Sequence, residues 1–161
     1  MPLSGDYDIY LRILVALLMG LALGTERELR GHPAGMKTMA LIAAGSCMFT
    51  ALGLEPAFGT RADPTRIAAQ IVTGVGFLGA GAILRQGIDV RGLTTAASIW
   101  VTASVGMAVG FGYYAVAIFT TIIVIVMLIA IRPIENRFVR HRKYRRADDP
   151  PPQDRPTEAP Y

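Results

Sequence analysis

The chain has 161 residues, the size of a single domain, and 52% of them are hydrophobic. The apolar residues are concentrated in long runs, with the charged residues between and after them, a distribution typical of a polytopic membrane protein. The formal net charge of +4 does not indicate a nucleic-acid partner, because the basic residues flank apolar runs and an anionic membrane surface explains them better. The single cysteine, Cys47, excludes an internal disulfide and a cysteine-based metal site.

Five segments are long and apolar enough, or nearly so, to cross the roughly 30 Å of a bilayer as helices. The first is preceded by Asp6 and Asp8 and not by a basic region, so we predict a retained span and not a cleaved signal peptide. The predicted fold is all-α, with about five transmembrane helices at residues 9–23, 36–54, 67–84, 95–111 and 113–131.

The distribution of Lys and Arg predicts the orientation of these spans. With five crossings, thirteen of the sixteen basic residues fall on the side of the first loop, the third loop and the C-terminal tail. Since cytoplasmic segments are enriched in Lys and Arg, we expect the N-terminus outside and the C-terminus in the cytoplasm. Four tyrosines then fall at the outer interface, where amphipathic rings are favoured: Tyr7, Tyr10, Tyr113 and Tyr114.

The stretch 20–38, around the first loop, places a group of charges between two apolar segments. If the first helix extends beyond the membrane to Arg30, then Glu26 and Arg30 lie four residues apart on one face, in the order that favours an ion pair. Arg27 and Glu28 then point elsewhere and are free to meet other spans. Gly31 suits the helix end and Pro33 prevents its continuation.

Two interpretations of this stretch remain open. It is either a solvated loop that acts only as a positive-inside signal, or one half of a polar site that faces the cytoplasm. The other half of such a site is the loop between the third and fourth spans. The residues of the whole site, from both halves, are Glu26, Arg27, Glu28, Arg30, Lys37, Thr38, Arg91, Thr94 and Thr95.

Glycines recur at spacings that favour close helix packing. Two pairs are four residues apart, and packing within the chain is favoured over a dimer interface for both. The third span also contains the glycine spacing of a dinucleotide-binding turn, but no strand precedes it, so no nucleotide or other cofactor is predicted. The glycines predicted to pack are Gly20, Gly24, Gly74, Gly76, Gly79, Gly81, Gly106 and Gly110.

Catalysis and metal binding have little basis in the sequence. Hydroxyl and amide side chains occur within the spans, where interhelical hydrogen bonds are favoured and a polar translocation path is the alternative. No carboxylate lies in the middle of a predicted span, whereas ion-coupled carriers usually rely on one. His32 and His141 lack a metal-ligand partner at a recognisable spacing, so neither an enzyme nor a metal site is predicted.

Residues 132–161 form a tail that is distinct from the predicted transmembrane domain of residues 1–131. The first half of the tail is basic and is expected to lie on the anionic leaflet, each Lys or Arg contributing about 1 kcal/mol. The second half is rich in proline and polar residues and is expected to be disordered.

Three long motifs resemble the MgtC/SapB family of bacterial inner-membrane proteins across residues 9–131: GTERELRGHPAGMKT, DPTRIAAQIVTGVGFLGAGAIL and RGLTTAASIWVTASVG. The chain departs from the family pattern at Met36 and Lys37, where Leu-Arg is frequent, and at Thr94, where some members have Asn. It also has the basic tail where longer members carry a folded C-terminal domain. The matching positions are Gly24, Glu26, Arg27, Glu28, Gly31, Ala34, Gly35, Thr38, Pro64, Arg66, Ala68, Gln70, Gly76, Phe77, Leu78, Gly79, Gly81, Gly92, Leu93, Thr95, Ala96 and Ala97.

This resemblance implies a multi-pass protein of the bacterial inner membrane, linked to growth under magnesium limitation and to virulence. The implied mode of action is regulatory contact with other membrane proteins, including the F-type ATP synthase, and not magnesium transport. Two alternatives are a small transporter or channel for magnesium or another cation along the glycine face of the third span, and a structural homodimer through Gly20 and Gly24.

Overall fold

The structure is a computed structural model that describes residues 3–54, 63–86 and 89–147. It has five helices, α1 (Leu3–Leu29), α2 (Met36–Gly53), α3 (Pro64–Gly81), α4 (Leu93–Gly110) and α5 (Tyr114–Ala147). A two-stranded antiparallel hairpin, β1 (Leu84–Gln86) and β2 (Asp89–Arg91), joins α3 to α4. The all-α prediction is confirmed, with this short hairpin added in the third loop.

Four of the helices are long and apolar enough to cross a membrane, at Tyr7–Leu29, Met36–Gly53, Leu93–Gly110 and Tyr114–Ile131. They correspond to the first, second, fourth and fifth predicted spans. Helix α3 occupies the position of the third, but it ends at Gly81 and is not apolar enough to be counted with them. Arg66, Gln70 and four glycines lower its hydropathy.

Helix α3 nevertheless lies alongside the other helices along its length. Near its start, Ile67 packs so closely on Gly53, the last residue of α2, that a Cβ on this glycine would lie 2.5 Å from Ile67 Cδ1. Near its end, a Cβ on Gly79 would lie 3.6 Å from the Cβ of Ala96, in the first turn of α4. Helix α3 therefore connects the same two ends of the bundle as its neighbours.

The compact unit Met1–Ile125 has a centre formed by α1, α2 and α4. Small and medium side chains fill this centre: Ala16, Leu23, Ala43, Cys47, Val105, Val109 and Ala117. A second cluster joins α3 to α2 and α4 through Met39, Ile71, Val75, Ile99 and Ala103. Large apolar side chains on the outside of the helices are exposed, as expected for a surface that contacts lipid: Leu18, Leu41, Phe49, Phe77, Trp100 and Ile122.

The two glycine pairs allow the central helices to approach closely. A Cβ on Gly20 would lie 2.6 Å from the backbone oxygen of Met39, and one on Gly106 would lie 2.2 Å from that of Ala43. Gly24 and Gly110 face α2 at similar distances. Since backbone atoms cannot turn aside as a flexible side chain does, both pairs require glycine for packing within the chain. Helix α2 covers Gly20 and Gly24, which leaves this face unavailable for the homodimer considered above.

The glycines of α3 differ from those pairs. A Cβ on Gly74, Gly76 or Gly81 would meet nothing within 4 Å among the residues that the structure describes. Helix α3 packs on α2 and α4 through the buried side chains of Ile71 and Val75. The close helix contacts predicted at these three glycines are therefore not formed within the described part of the chain.

Helix α5 continues beyond the predicted fifth span, as far as Ala147. The first, basic half of the predicted tail is thus helical. The second compact unit, Val126–Tyr161, contains this part of α5. The predicted disorder concerns residues 148–161, which lie outside the described residues.

Candidate functional site

The end of α1 has the geometry that its sequence predicts. Gly31 has a φ of 69°, a left-handed conformation that favours glycine. Its amide donates to the carbonyl of Glu28, and the amide of His32 donates to the carbonyl of Arg27. These two bonds form a Schellman motif, which ends the helix and directs the chain into α2.

Arg27, in the last turn of α1, is the most unusual side chain in the described structure, because it is charged and only 1% exposed. Its Nη2 donates a hydrogen bond to the hydroxyl of Thr95 on α4, which is also buried. Taking a charge out of water costs several kcal/mol unless hydrogen bonds or a counter-charge compensate. The pair therefore links two helices at a substantial energetic cost.

The other acidic and basic residues of this turn have separate partners. Arg30 Nε lies 2.5 Å from Glu26 Oε1, the ion pair predicted from their spacing. Glu28 Oε2 accepts a hydrogen bond of 2.8 Å from the amide of Met36, the first residue of α2. Glu28 thus satisfies a backbone donor that the start of a helix leaves unpaired.

Two buried polar atoms of the site lack a hydrogen-bond partner among the described residues, Glu26 Oε2 and Arg27 Nε. Buried polar groups are normally paired, and exceptions are frequent at functional sites. The end of α1 therefore contains buried polar atoms that lack the hydrogen bonds usual in a protein interior.

Four other predicted site residues lie at the same end of the bundle as this buried pair, and their side chains are exposed. Lys37 and Thr38 lie in the first turn of α2, Arg91 ends β2, and Thr94 is the second residue of α4. The structure thus joins Arg27 to Thr95 and Glu26 to Arg30, and it places the remaining basic and hydroxyl groups on the outer surface. We call this set of nine predicted residues the polar end.

Gly92 fixes the position of α4 within the polar end. It has a φ of 88°, and a Cβ on it would lie 2.0 Å from the carbonyl oxygen of Ala82. Only glycine fits, so α4 begins directly against the end of α3 and Thr95 is brought to Arg27. The hairpin before Gly92 could have been predicted from the sequence. Two short strand-forming runs are separated there by only two residues, 87–88, which is the spacing of a tight hairpin turn.

A second polar contact, absent from the sequence predictions, lies at the opposite end of the bundle. Arg12 Nη2 pairs with Asp8 at 2.5 Å, and Arg12 Nη1 donates to the carbonyl oxygen of Gly110 at 2.7 Å. It connects the start of α1 to the end of α4. An arginine inside an apolar run, four residues after an aspartate, is the signal that could have revealed it.

The chemistry available at the polar end is hydrogen bonding and charge recognition. No group of three or more His, Cys, Asp or Glu residues that could hold a metal ion occurs in the described part of the chain. The donors are guanidinium and hydroxyl groups, which suit contacts with a polar protein surface.

Comparisons with known proteins agree with the resemblance of the motifs. The model of the MgtC family matches residues 13–137. Protein SapB of Bacillus subtilis is 47% identical over 116 residues, which cover 68% of this chain and 50% of that protein. Protein MgtC of Salmonella typhimurium is 43% identical over 131 residues, covering 81% of this chain and 55% of that protein.

An uncharacterized protein of Haemophilus influenzae is 40% identical over 146 residues, covering 86% of this chain and 61% of that protein. The chain thus spans roughly half to three fifths of the length of these relatives. No solved structure matches it. From the family model and these identities, the chain belongs to the MgtC family.

Proposed function

We propose that the protein is a regulatory protein of the bacterial inner membrane and that it acts by binding other membrane proteins through its polar end. The observation that carries this proposal is the buried Arg27, bonded to Thr95 at the end of the bundle where Lys37 and Arg91 are exposed. An ionisable residue inside a membrane protein is costly and is by default a candidate functional residue.

The setting of this function is proposed from the family. Relatives carry the names MgtC and SapB, and the resemblance implies growth under magnesium limitation and virulence, with the F-type ATP synthase as a partner. Binding and not catalysis is the proposed activity. The exposed charges give the polar end electrostatic specificity for a partner.

We propose a cytoplasmic location for the polar end, from the excess of Lys and Arg on that side of the sequence. A reporter that is active only outside the cytoplasm should be active when fused after Leu54 and silent when fused after Ile131. The reverse pattern would place the polar end on the outer side and contradict a cytoplasmic partner.

The binding proposal is tested with F-type ATP synthase and this protein in the same proteoliposomes. We expect the wild-type protein to copurify with the synthase and to change its ATP-driven proton pumping. The double variant Lys37→Gln, Arg91→Gln removes two exposed charges of the polar end and should weaken both effects. Neither side chain is buried, so the fold should be retained.

Arg66→Gln is the matched control, because it removes an exposed charge at the opposite end of the bundle. It should bind and regulate as the wild type does. Because the control removes one charge and the double variant removes two, a loss in the control of half that in the double variant, or more, would mean that net charge, and not the polar end, determines binding. Absence of copurification with the wild type would remove the F-type ATP synthase as the partner.

A further inference from the structure

A groove separates α2 from α3, and its cavity volume is about 650 Å³. Leu41 and Phe49 line it on α2, and Ile67 and Leu78 line it on α3. Its volume lies within the range of about 300–1,000 Å³ that is usual for small-molecule sites. Most of its wall is apolar, and it lies among helices that contact lipid.

Two glycines face the groove. Gly45 on α2 and Gly74 on α3 both line it, and a Cβ on either would meet nothing within 4 Å among the described residues. Helix α2 makes its close contacts with α1 and α4 on its other faces. The space beside these two glycines is therefore open, and a large side chain at either position would extend into it.

One end of the groove is polar. Arg66 and Gln70 both line it and lie four residues apart near the start of α3. Among the groove-lining residues that the structure describes, Arg66 is the only charged one, and it is exposed. Asp63 is close enough for its charge to interact with that of Arg66, but the hydrogen bonds that its carboxylate accepts come from the amide and the hydroxyl of Thr65.

We propose that this groove binds an acyl chain of an anionic phospholipid whose phosphate contacts Arg66. A molecule with a long apolar part and a negative head matches an apolar groove with a single cation at its end. A guanidinium forms strong, bidentate hydrogen bonds with phosphate oxygens. This site is independent of the polar end, because Arg66 lies in the first turn of α3 and the polar end lies beyond its last.

The test is mass spectrometry of the intact protein in mild detergent, titrated with phosphatidylglycerol or with phosphatidylcholine. We expect the wild type to prefer phosphatidylglycerol by about tenfold, because both lipids offer a phosphate to Arg66 but only phosphatidylcholine carries a quaternary ammonium beside it, which repels the guanidinium. Arg66→Gln should abolish this preference and retain weak binding of both lipids. Gly74→Leu, which fills the groove, should reduce the binding of both.

Gly76→Leu is the matched control for the filled groove. Gly76 has the same open surroundings as Gly74 but does not line the groove, so its variant should bind lipid as the wild type does. Unchanged preference in Arg66→Gln would overturn the proposal. Dimers in the same spectra that disappear in Gly74→Leu would also overturn it, because a second copy would then occupy the groove. Arg66→Gln leaves the groove intact, so it keeps the test decisive if Gly74→Leu fails to fold.

Discussion

The two sides of α2 show opposite uses of glycine. Toward α1 and α4, glycines bring backbones so close that a Cβ on Gly106 would lie 2.2 Å from the oxygen of Ala43. Toward α3, Gly45 and Gly74 face open space, and a groove of about 650 Å³ remains. One side of α2 is therefore a closed structural core, and the other is accessible from the membrane.

This difference explains how a small membrane protein combines rigidity with an accessible surface. In lipid there is little hydrophobic drive between helices, so close dispersion contacts at small residues hold the core together. The tight side also holds Arg27 against Thr95, since both helices that carry these residues pack on α2. The open side leaves room for a ligand without disturbing that link.

The largest expected effect is on the tight side. Gly106→Leu should lower the free energy of unfolding by more than about 3 kcal/mol, because its side chain would enter the backbone of α2. The same change at Gly74 should alter it by no more than about 1 kcal/mol, since the site is open and glycine is a poor helix former. Titration with dodecyl sulfate in mixed micelles measures the free energy of unfolding of both variants. Equal losses of stability at the two positions would contradict the difference between the two sides of α2.

A smaller loss is expected at the link between α1 and α4. Thr95→Val keeps the shape of the side chain but leaves the buried guanidinium of Arg27 without its hydroxyl acceptor, which should cost about 1–3 kcal/mol. Thr94→Val is the control, because Thr94 is exposed and should change stability by less than about 0.5 kcal/mol. The same unfolding titration measures both variants. If the two lose equal stability, the Arg27–Thr95 link does not stabilise the polar end.

The smallest effect is expected at the start of α3, on the open side. The hydroxyl and the amide of Thr65 lower the pKa of Asp63 below its ordinary value. Its stabilising contribution is therefore complete above the ordinary pKa of aspartate and is lost as the pH falls through the lowered value. Thermal unfolding of the wild type and Asp63→Ala should differ slightly at neutral pH, and the difference should shrink in acid. A difference in thermal stability between the two proteins that grows as the pH falls would contradict this prediction.

Local rules predicted the local parts of the site. The spacing of Glu26 and Arg30 predicted their ion pair, and Gly31 predicted the end of α1, because these features depend on neighbours within one turn. The predicted site also contained both Arg27 and Thr95, but it did not single them out as a pair. Thr95 lies 68 positions away, so the contact depends on how α4 is placed against α1.

The roles of the glycines could not be separated from sequence alone. Gly74 and Gly106 are both glycines within apolar helices, and the same pattern predicted packing at each. They differ only in what lies opposite them, which depends on the tertiary arrangement: the backbone of α2 faces Gly106, and the groove faces Gly74. The hairpin was missed for another reason, since a search for long apolar runs does not detect three-residue strands.

The most direct test of the proposed function is magnesium entry into liposomes that contain only this protein. A protein that acts by binding partners should give the same entry as protein-free liposomes, and Glu26→Gln should make no difference. Magnesium entry that is present with the wild type and disappears with Glu26→Gln would contradict the account, because the polar end would then belong to a transport path.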